Sequence, residues 1–282
     1  MYYGILSAAV LMFGLQFFCN DKYQEINGST RRSAVSLIFV SSLVGALVLF
    51  ALSGFTVQIT AYTLLMAAVT AVDFVVMIYC STMALGKTSL SVYSMFSQLG
   101  GMILPFIAGI MVYGEPMTYG KAICIAAVFV AVLLTVQGGD KKGGLMYCFG
   151  IFIFNGVLGI LSKMYEESEY AKASVLDYSV WTALIAAVLA GAVLLFMKKD
   201  GPTFNLKATL YMGGYGVLNK VGNYLLLVSL AHLHASVQYP MVTGGVIVVS
   251  TLLSYFTSKK PGLREYASLI LSLIGIAALV LV

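Results

Sequence analysis

Charge is what this sequence lacks most. Asp, Glu, Lys and Arg make up 10% of its 282 residues, while 60% are hydrophobic and mean hydropathy is +0.96. A soluble domain carries roughly 25% charged residues, and so few polar groups cannot cover a surface that faces water. A soluble enzyme, a disordered tail protein and a nucleic-acid reader are excluded. Cysteine is scarce too. Cys19, Cys80, Cys124 and Cys148 are scattered, with no CxxC and no Cys/His pairing at metal spacing, which excludes a disulfide-built secreted scaffold and leaves no metal site to expect. Cys80, Cys124 and Cys148 read as packing residues inside apolar segments and Cys19 as a helix-end residue. Of the two histidines, His232 and His234 are two apart and would face different ways on a helix. Enzyme signatures are missing: there is no GxSxG, HExxH, P-loop or GxGxxG in a strand–helix setting, so no catalytic residue and no cofactor is expected. No positive flank or small-residue cleavage site precedes Asn20, so no cleavable signal peptide is expected.

What is abundant is long apolar sequence. Crossing a core of about 30 Å takes about 17–25 apolar residues, and ten runs qualify: roughly 2–18, 33–52, 60–83, 89–112, 119–136, 144–161, 175–197, 208–230, 235–255 and 266–282. In lipid every backbone N–H and C=O must be satisfied within the segment, so the runs are read as helices; the alternation of a membrane barrel is absent. The links are short and carry breakers such as Asn27-Gly28-Ser29, Gly138-Gly139-Asp140, Asp200-Gly201-Pro202 and Lys259-Lys260-Pro261-Gly262. The lipid bilayer is therefore the first partner, and an integral protein of a bacterial-type plasma (inner) membrane is expected.

The chain repeats itself. Offset by 145 residues, Met1 and Tyr2 fall on Met146 and Tyr147, Gly14 on Gly159, Tyr79 on Tyr224, Leu85 on Leu230, Ser91 and Val92 on Ser236 and Val237, Gly100 on Gly245 and Pro116 on Pro261. Residues 1–138 and 139–282 thus form two five-helix repeats. An odd number of helices makes the second enter the membrane from the opposite side, the inverted-topology arrangement of many secondary transporters, with the substrate site near mid-depth between the halves. Lys and Arg give the orientation. Twelve lie in the links 1–2, 3–4, 5–6, 7–8 and 9–10, against three (Lys121, Lys163, Lys172) on the other side. The positive-inside rule puts the first set in the cytoplasm and both termini outside.

Residues 79–136 resemble a known repeat. Ala84-Leu85, Thr88-Ser89, an apolar helix with Gly100-Gly101 and Pro105, then Tyr113-Gly114-Glu115-Pro116-Met117-Thr118 and another apolar helix are similar to the EamA-type repeat of the drug/metabolite transporter superfamily. The second copy departs from it, with Lys260-Pro261 where the first has Glu115-Pro116. The resemblance implies an alternating-access transporter of a small metabolite. It also implies cytoplasmic termini, against which the charge count stands.

Candidate site residues follow from what is costly in lipid. Asp73 is the acid inside an apolar helix, at a cost of about 2.5–3.5 kcal/mol at mid-depth; it reads as a ligand for a cation or as the group that carries a coupling proton. Lys220 sits at similar depth and could hold an anionic group. The repeat maps Asp73 onto Leu218, about 200° around the helix from residue 220, and so gives no support to a direct pair. Asn219 and Asn223 share a face of helix 8. Helices 4 and 9 correspond under the repeat and both are read as interrupted, by Gly100, Gly101 and Pro105 in one and by Pro240, Gly244 and Gly245 in the other, the paired pattern that points to a transport site. Near them lie Tyr93, Ser94, Ser97, Gln98, Gln238, Tyr239 and Thr243. Tyr79, Tyr215, Tyr224 and Trp181 complete a set of rings suited to an organic cation. Glu115 reads as a structural cap at the membrane surface.

The expectation is an all-α membrane protein of ten transmembrane helices. It would carry a small-molecule substrate, an amino acid-like zwitterion or an organic cation, through a cavity walled by helices 1, 3, 4, 6, 8 and 9. A proton or sodium ion would couple the movement, and the protein would act as a monomer or homodimer. The alternative is a membrane scaffold or sensor subunit that transports nothing and has a dry, filled midplane.

Overall fold

The computed structural model describes residues 2–28, 30–85, 87, 90–134, 144–197, 205–254 and 263–281, some helix residues, Tyr93 and Gln98 among them, by their backbone alone. They form ten α-helices: α1 (Tyr2–Asn27), α2 (Arg31–Leu52), α3 (Ala61–Leu85), α4 (Leu90–Met111), α5 (Tyr119–Leu134), α6 (Leu145–Glu167), α7 (Val175–Phe196), α8 (Leu206–Leu230), α9 (Ala235–Ser254) and α10 (Leu263–Leu281). Five of them (α1, α2, α3, α6 and α7) are by themselves long and apolar enough to cross a membrane, and shorter apolar stretches occupy α4, α5, α9 and α10.

Local chemistry sets the helix starts. Thr30 accepts the Ser33 N–H at 3.1 Å ahead of α2, and Asn205 accepts the Ala208 N–H at 2.7 Å ahead of α8. Ser174 and Asp177 form a reciprocal capping box on α7. Two helices outrun their apolar stretches. α1 continues past residue 18 to Asn27, so Cys19 lies inside a helix and not at its end. Its polar last turns hold through the Lys22–Glu25 ion pair and through buried Tyr23, whose hydroxyl donates to the Ser33 carbonyl at 2.8 Å. α6 continues past residue 161 to Glu167, its last turn closed by a Lys163–Glu167 pair at 2.7 Å. Hydropathy misses such turns because backbone bonding, once begun, extends into polar sequence at the membrane end.

Helices 4 and 9, expected to be interrupted, each run unbroken through Pro105 and Pro240. A proline removes one N–H and leaves one carbonyl without its partner, but packing on both sides can keep the helix continuous through it.

Packing follows the repeat. α1 lies on α8 and α9, and α6 on α3 and α4; α2 packs on α7 and α8, and α3 on α7; α5 packs on α10, and α4 on α9. Exchanging the two halves maps each pairing onto another or onto itself. The halves are therefore interleaved, and most large interfaces join one to the other. Two crossings are close enough to require glycine. A Cβ on Gly100 would meet the Phe152 backbone at 2.1 Å, and one on Gly216 the Ser41 backbone at 2.2 Å.

Candidate functional site

Between the interleaved halves lies a cavity of about 140 Å³, bounded by α1, α3, α4, α6, α8 and α9. Its polar lining comes from Gln16 on α1, Ser81 on α3, Ser97 on α4, Asn155 and Ser162 on α6, Asn219 and Asn223 on α8, and Thr243 on α9. Apolar and aromatic walls come from Phe13 and Phe17, Met77 and Ile78, and the rings of Tyr215 and Tyr239. No charged side chain borders it among the described residues.

Several of these groups are fixed by hydrogen bonds. Asn219 donates its Nδ2 to Gln16 Oε1 at 3.0 Å, which ties α8 to α1. Asn155 donates to the Ser97 carbonyl at 2.7 Å, tying α6 to α4. The Tyr239 hydroxyl donates to the Gly159 carbonyl at 2.8 Å, tying α9 to α6. The last bond needs the bare backbone of Gly159, where a Cβ would strike Pro105 at 2.4 Å and the Tyr239 ring at 3.1 Å.

The cavity gathers some of the residues expected from sequence and not others. Asn219, Asn223, Tyr215 and Tyr239 line it, with Gly101. Gln238 does not; it is fully buried, accepts from Ser229 and donates to the Leu226 carbonyl, locking α9 to α8. Trp181 faces the α2–α3 link and donates to the Gln58 carbonyl at 3.1 Å. Tyr79 and Tyr224 are half-buried outside the lining. Gly244 packs on α5 and α10 and Gly245 on Val10 of α1. The side chains of Tyr93 and Gln98 lie outside the described residues.

The two membrane charges are also placed apart from the cavity. Asp73 is 6% exposed and its Oδ2 is buried without a hydrogen-bond partner among the described residues. It lies one helical turn from Met77, a lining residue of α3. The Lys220 ammonium rests on the Phe74 ring, 3.5 Å from the centroid, and its stem crosses α2 at Gly45, where a Cβ would meet it at 2.3 Å.

A second polar centre closes the end of the bundle where α4 stops and α9 starts. Gly114, at φ +63°, makes the turn after α4, and Glu115 folds back beneath α9. Its carboxylate accepts the Ala235 and Ser236 N–H groups at 2.9 and 2.8 Å and the Ser236 hydroxyl. Lys163 lies 3.3 Å away, both side chains almost wholly buried. His234 is 3.8 Å from the same carboxylate. Burial pushes the Glu115 pKa up, but the hydrogen bonds from Ser236 and Ala235 and the Lys163 charge outweigh it and hold the group below its ordinary value. This is the cap that the sequence position suggested: a carboxylate on the N-terminal amides of a helix.

Gln16, Ser81, Asn155 and Ser162 are cavity residues that sequence reasoning did not select. The signal was present in Gln16 and Asn155, each an uncharged amide within an apolar run, but lone amides are weaker outliers than charges.

The model of the EamA-like transporter family matches residues 142–281, the second repeat. The motifs quoted for the resemblance lie in the first repeat; the family match therefore rests on the overall pattern of the second and not on Glu115-Pro116, which that repeat lacks. One solved chain, described only as "Crystal structure of protein", superposes with a TM-score of 0.77 over 97% of this chain and 94% of its own. At 11% identity it shares the fold alone. No curated protein matches the sequence.

Proposed function

The second half of the chain is a repeat of the EamA-like transporter family, so the protein belongs to the drug/metabolite transporter superfamily, and from that premise we propose that it is a secondary transporter carrying a small polar or amphipathic metabolite through the cavity between its halves. The observation that carries this reading is the cavity itself. A polar-lined space of about 140 Å³ at the junction of six helices is costly in a lipid-embedded protein, and a scaffold or sensor has no need of it. The family is one of transporters, which points away from enzymatic chemistry. Alternating access would rock the halves about the glycine crossings at Gly100 and Gly216, where backbones touch with no side chain between them.

A zwitterion held directly by Asp73 and Lys220 fits poorly, because neither borders the cavity. Asp73, buried one turn away with an oxygen that has no partner among the described residues, is instead proposed to carry the coupling proton. The excess of Lys and Arg in alternate links supports a bacterial-type inner membrane with both termini outside, and the protein is proposed to act as a monomer or homodimer.

The test is reconstitution of the full chain in liposomes loaded with a defined metabolite mixture under pH or sodium gradients of either sign. Mass spectrometry of the lumen should show one or a few small metabolites displaced from equilibrium by wild type. Thr243→Trp, which fills the cavity, should abolish the displacement while the helical content and melting temperature stay close to wild type. If no metabolite moves under any gradient, the reading is wrong.

A further inference from the structure

The cavity has no charge in its described lining, but its hydrogen-bonding groups have a direction. Asn155 donates its amide nitrogen to the Ser97 carbonyl at 2.7 Å and Asn223 to the Asn219 carbonyl at 2.8 Å. A backbone carbonyl can only accept, so these contacts fix which end of each amide is nitrogen. The nitrogens are turned onto the helix backbone, and neither side-chain oxygen has a donor among the described residues. Asn219, 6% exposed, spends its nitrogen on Gln16 and leaves a buried Oδ1 with no partner among the described residues.

The same bias runs through the other lining groups. The Ser162 hydroxyl gives its hydrogen to the Leu158 carbonyl and that of Tyr239 to the Gly159 carbonyl, so neither has a hydrogen left to offer a ligand. Gly101 lines the cavity, and its carbonyl lacks the helical N–H that proline at 105 cannot supply. Among the described residues the free donors are few: the Gln16 amide nitrogen, and the hydroxyls of Ser81, Ser97 and Thr243, which serve either role. The rings of Phe13, Phe17 and Tyr215 add negative π faces.

A ligand that enters such a space must bring its own donors. A carboxylate or phosphate would lose its hydration and meet oxygen lone pairs with almost nothing to replace it. A protonated primary amine brings three N–H bonds and a positive charge, which amide oxygens and aromatic faces both stabilise. We propose that the cavity is a site for a small amphiphile bearing a primary ammonium group and no anionic group, its ammonium held by the side-chain oxygens of Asn155 and Asn223 and its apolar part against Phe13 and Phe17. This rests on the transporter reading above and names its substrate class.

The test uses the purified full chain in detergent, titrated calorimetrically at neutral pH and constant ionic strength with three probes of one carbon skeleton: n-butylammonium chloride, 1-butanol and sodium butyrate. Butylammonium should bind at least about tenfold more tightly than either of the others. Asn223→Asp, which turns the amide into a carboxylate and gives up the bond to the Asn219 carbonyl, should tighten butylammonium by about tenfold or more and weaken butyrate. Asn155→Leu should weaken butylammonium by a similar factor; if that variant does not fold, Asn223→Asp decides alone. Equal binding of the three probes, preference for butyrate, no heat from butylammonium at concentrations on the order of 100 mM, or an Asn223→Asp protein with unchanged affinities would each overturn the assignment. Preference for butyrate would reverse the polarity but leave a cavity that loads a ligand. Butylammonium binding without any flux into liposomes would remove the carrier reading and leave this one standing.

Discussion

Replacing Glu115 by alanine tests whether a carboxylate in a link, and not the helix sequence itself, secures the start of α9. In the folded protein that carboxylate takes the first two N–H groups of α9, the Ser236 hydroxyl and the buried Lys163 ammonium. Its removal strands Lys163, whose side chain is 5% exposed, and leaves the α9 donors without an acceptor. Breaking one side of a buried, hydrogen-bonded pair costs about 3–5 kcal/mol, and the lost cap belongs to the same network, so it is not simply added. At roughly 3 °C per kcal/mol for a chain of this order of size, Glu115→Ala should melt roughly 10 °C below wild type in a detergent thermal-unfolding assay. Lys163→Met in the same background removes the stranded charge and should restore about half of the loss, because replacing both partners is far less costly than removing one. The pH dependence follows from the sign of the shift. Burial pushes the Glu115 pKa up, but the hydrogen bonds and the Lys163 charge outweigh it and leave the group below the ordinary glutamate value of 4.5, so its stabilisation is complete above that value and is lost as pH falls through the lower, folded-state value. Glu115→Gln should flatten this acid limb while leaving the neutral plateau lowered. A Glu115→Ala protein melting within about 2 °C of wild type, or a double variant no better than the single, would refute the reasoning.

Gly100→Ala should destabilise by about 1–3 kcal/mol or more, because its Cβ meets Phe152 backbone that has no rotamer to yield; Gly213→Ala, with its nearest neighbour at 3.9 Å, is the control and should be neutral or gain up to about 1 kcal/mol in helix propensity. Gly114→Ala forces a side chain to φ +63° and should cost about 1–2 kcal/mol, read as a lowered melting temperature. Asp73→Asn should leave butylammonium affinity within about twofold, since residue 73 does not border the cavity, yet abolish accumulation driven by a pH gradient in liposomes; unchanged driven accumulation would remove Asp73 from coupling. Tyr178→Phe removes the 2.7 Å bond to Thr70 between α7 and α3 and should cost about 0.6–1.7 kcal/mol, the range for hydrogen bonds between membrane helices.

The sequence by itself determined the lipid setting, the ten helices and the doubling of five, because each follows from patterns that act along the chain. A span must satisfy its own backbone, and an apolar run of sufficient length can do so only as a helix. Helix 8 could also be read locally: Asn219 and Asn223 share a face, and both reach the cavity. What the chain could not show was which way a side chain turns once six helices meet. Asp73 and Lys220 stood out because their charges are expensive in lipid, but expense marks a need for shelter, and here the shelter is one turn removed from the cavity in one case and the face of Phe74 in the other. Gln16 and Asn155 were cheaper and easier to overlook, yet the crossing of α1 with α8 and of α4 with α6 places them on the open space. The direction of the cavity's hydrogen bonds is a tertiary property in the strictest sense. An amide carries a donor end and an acceptor end wherever it stands in sequence, and only the carbonyl or amide across the helix interface decides which end is left for a ligand.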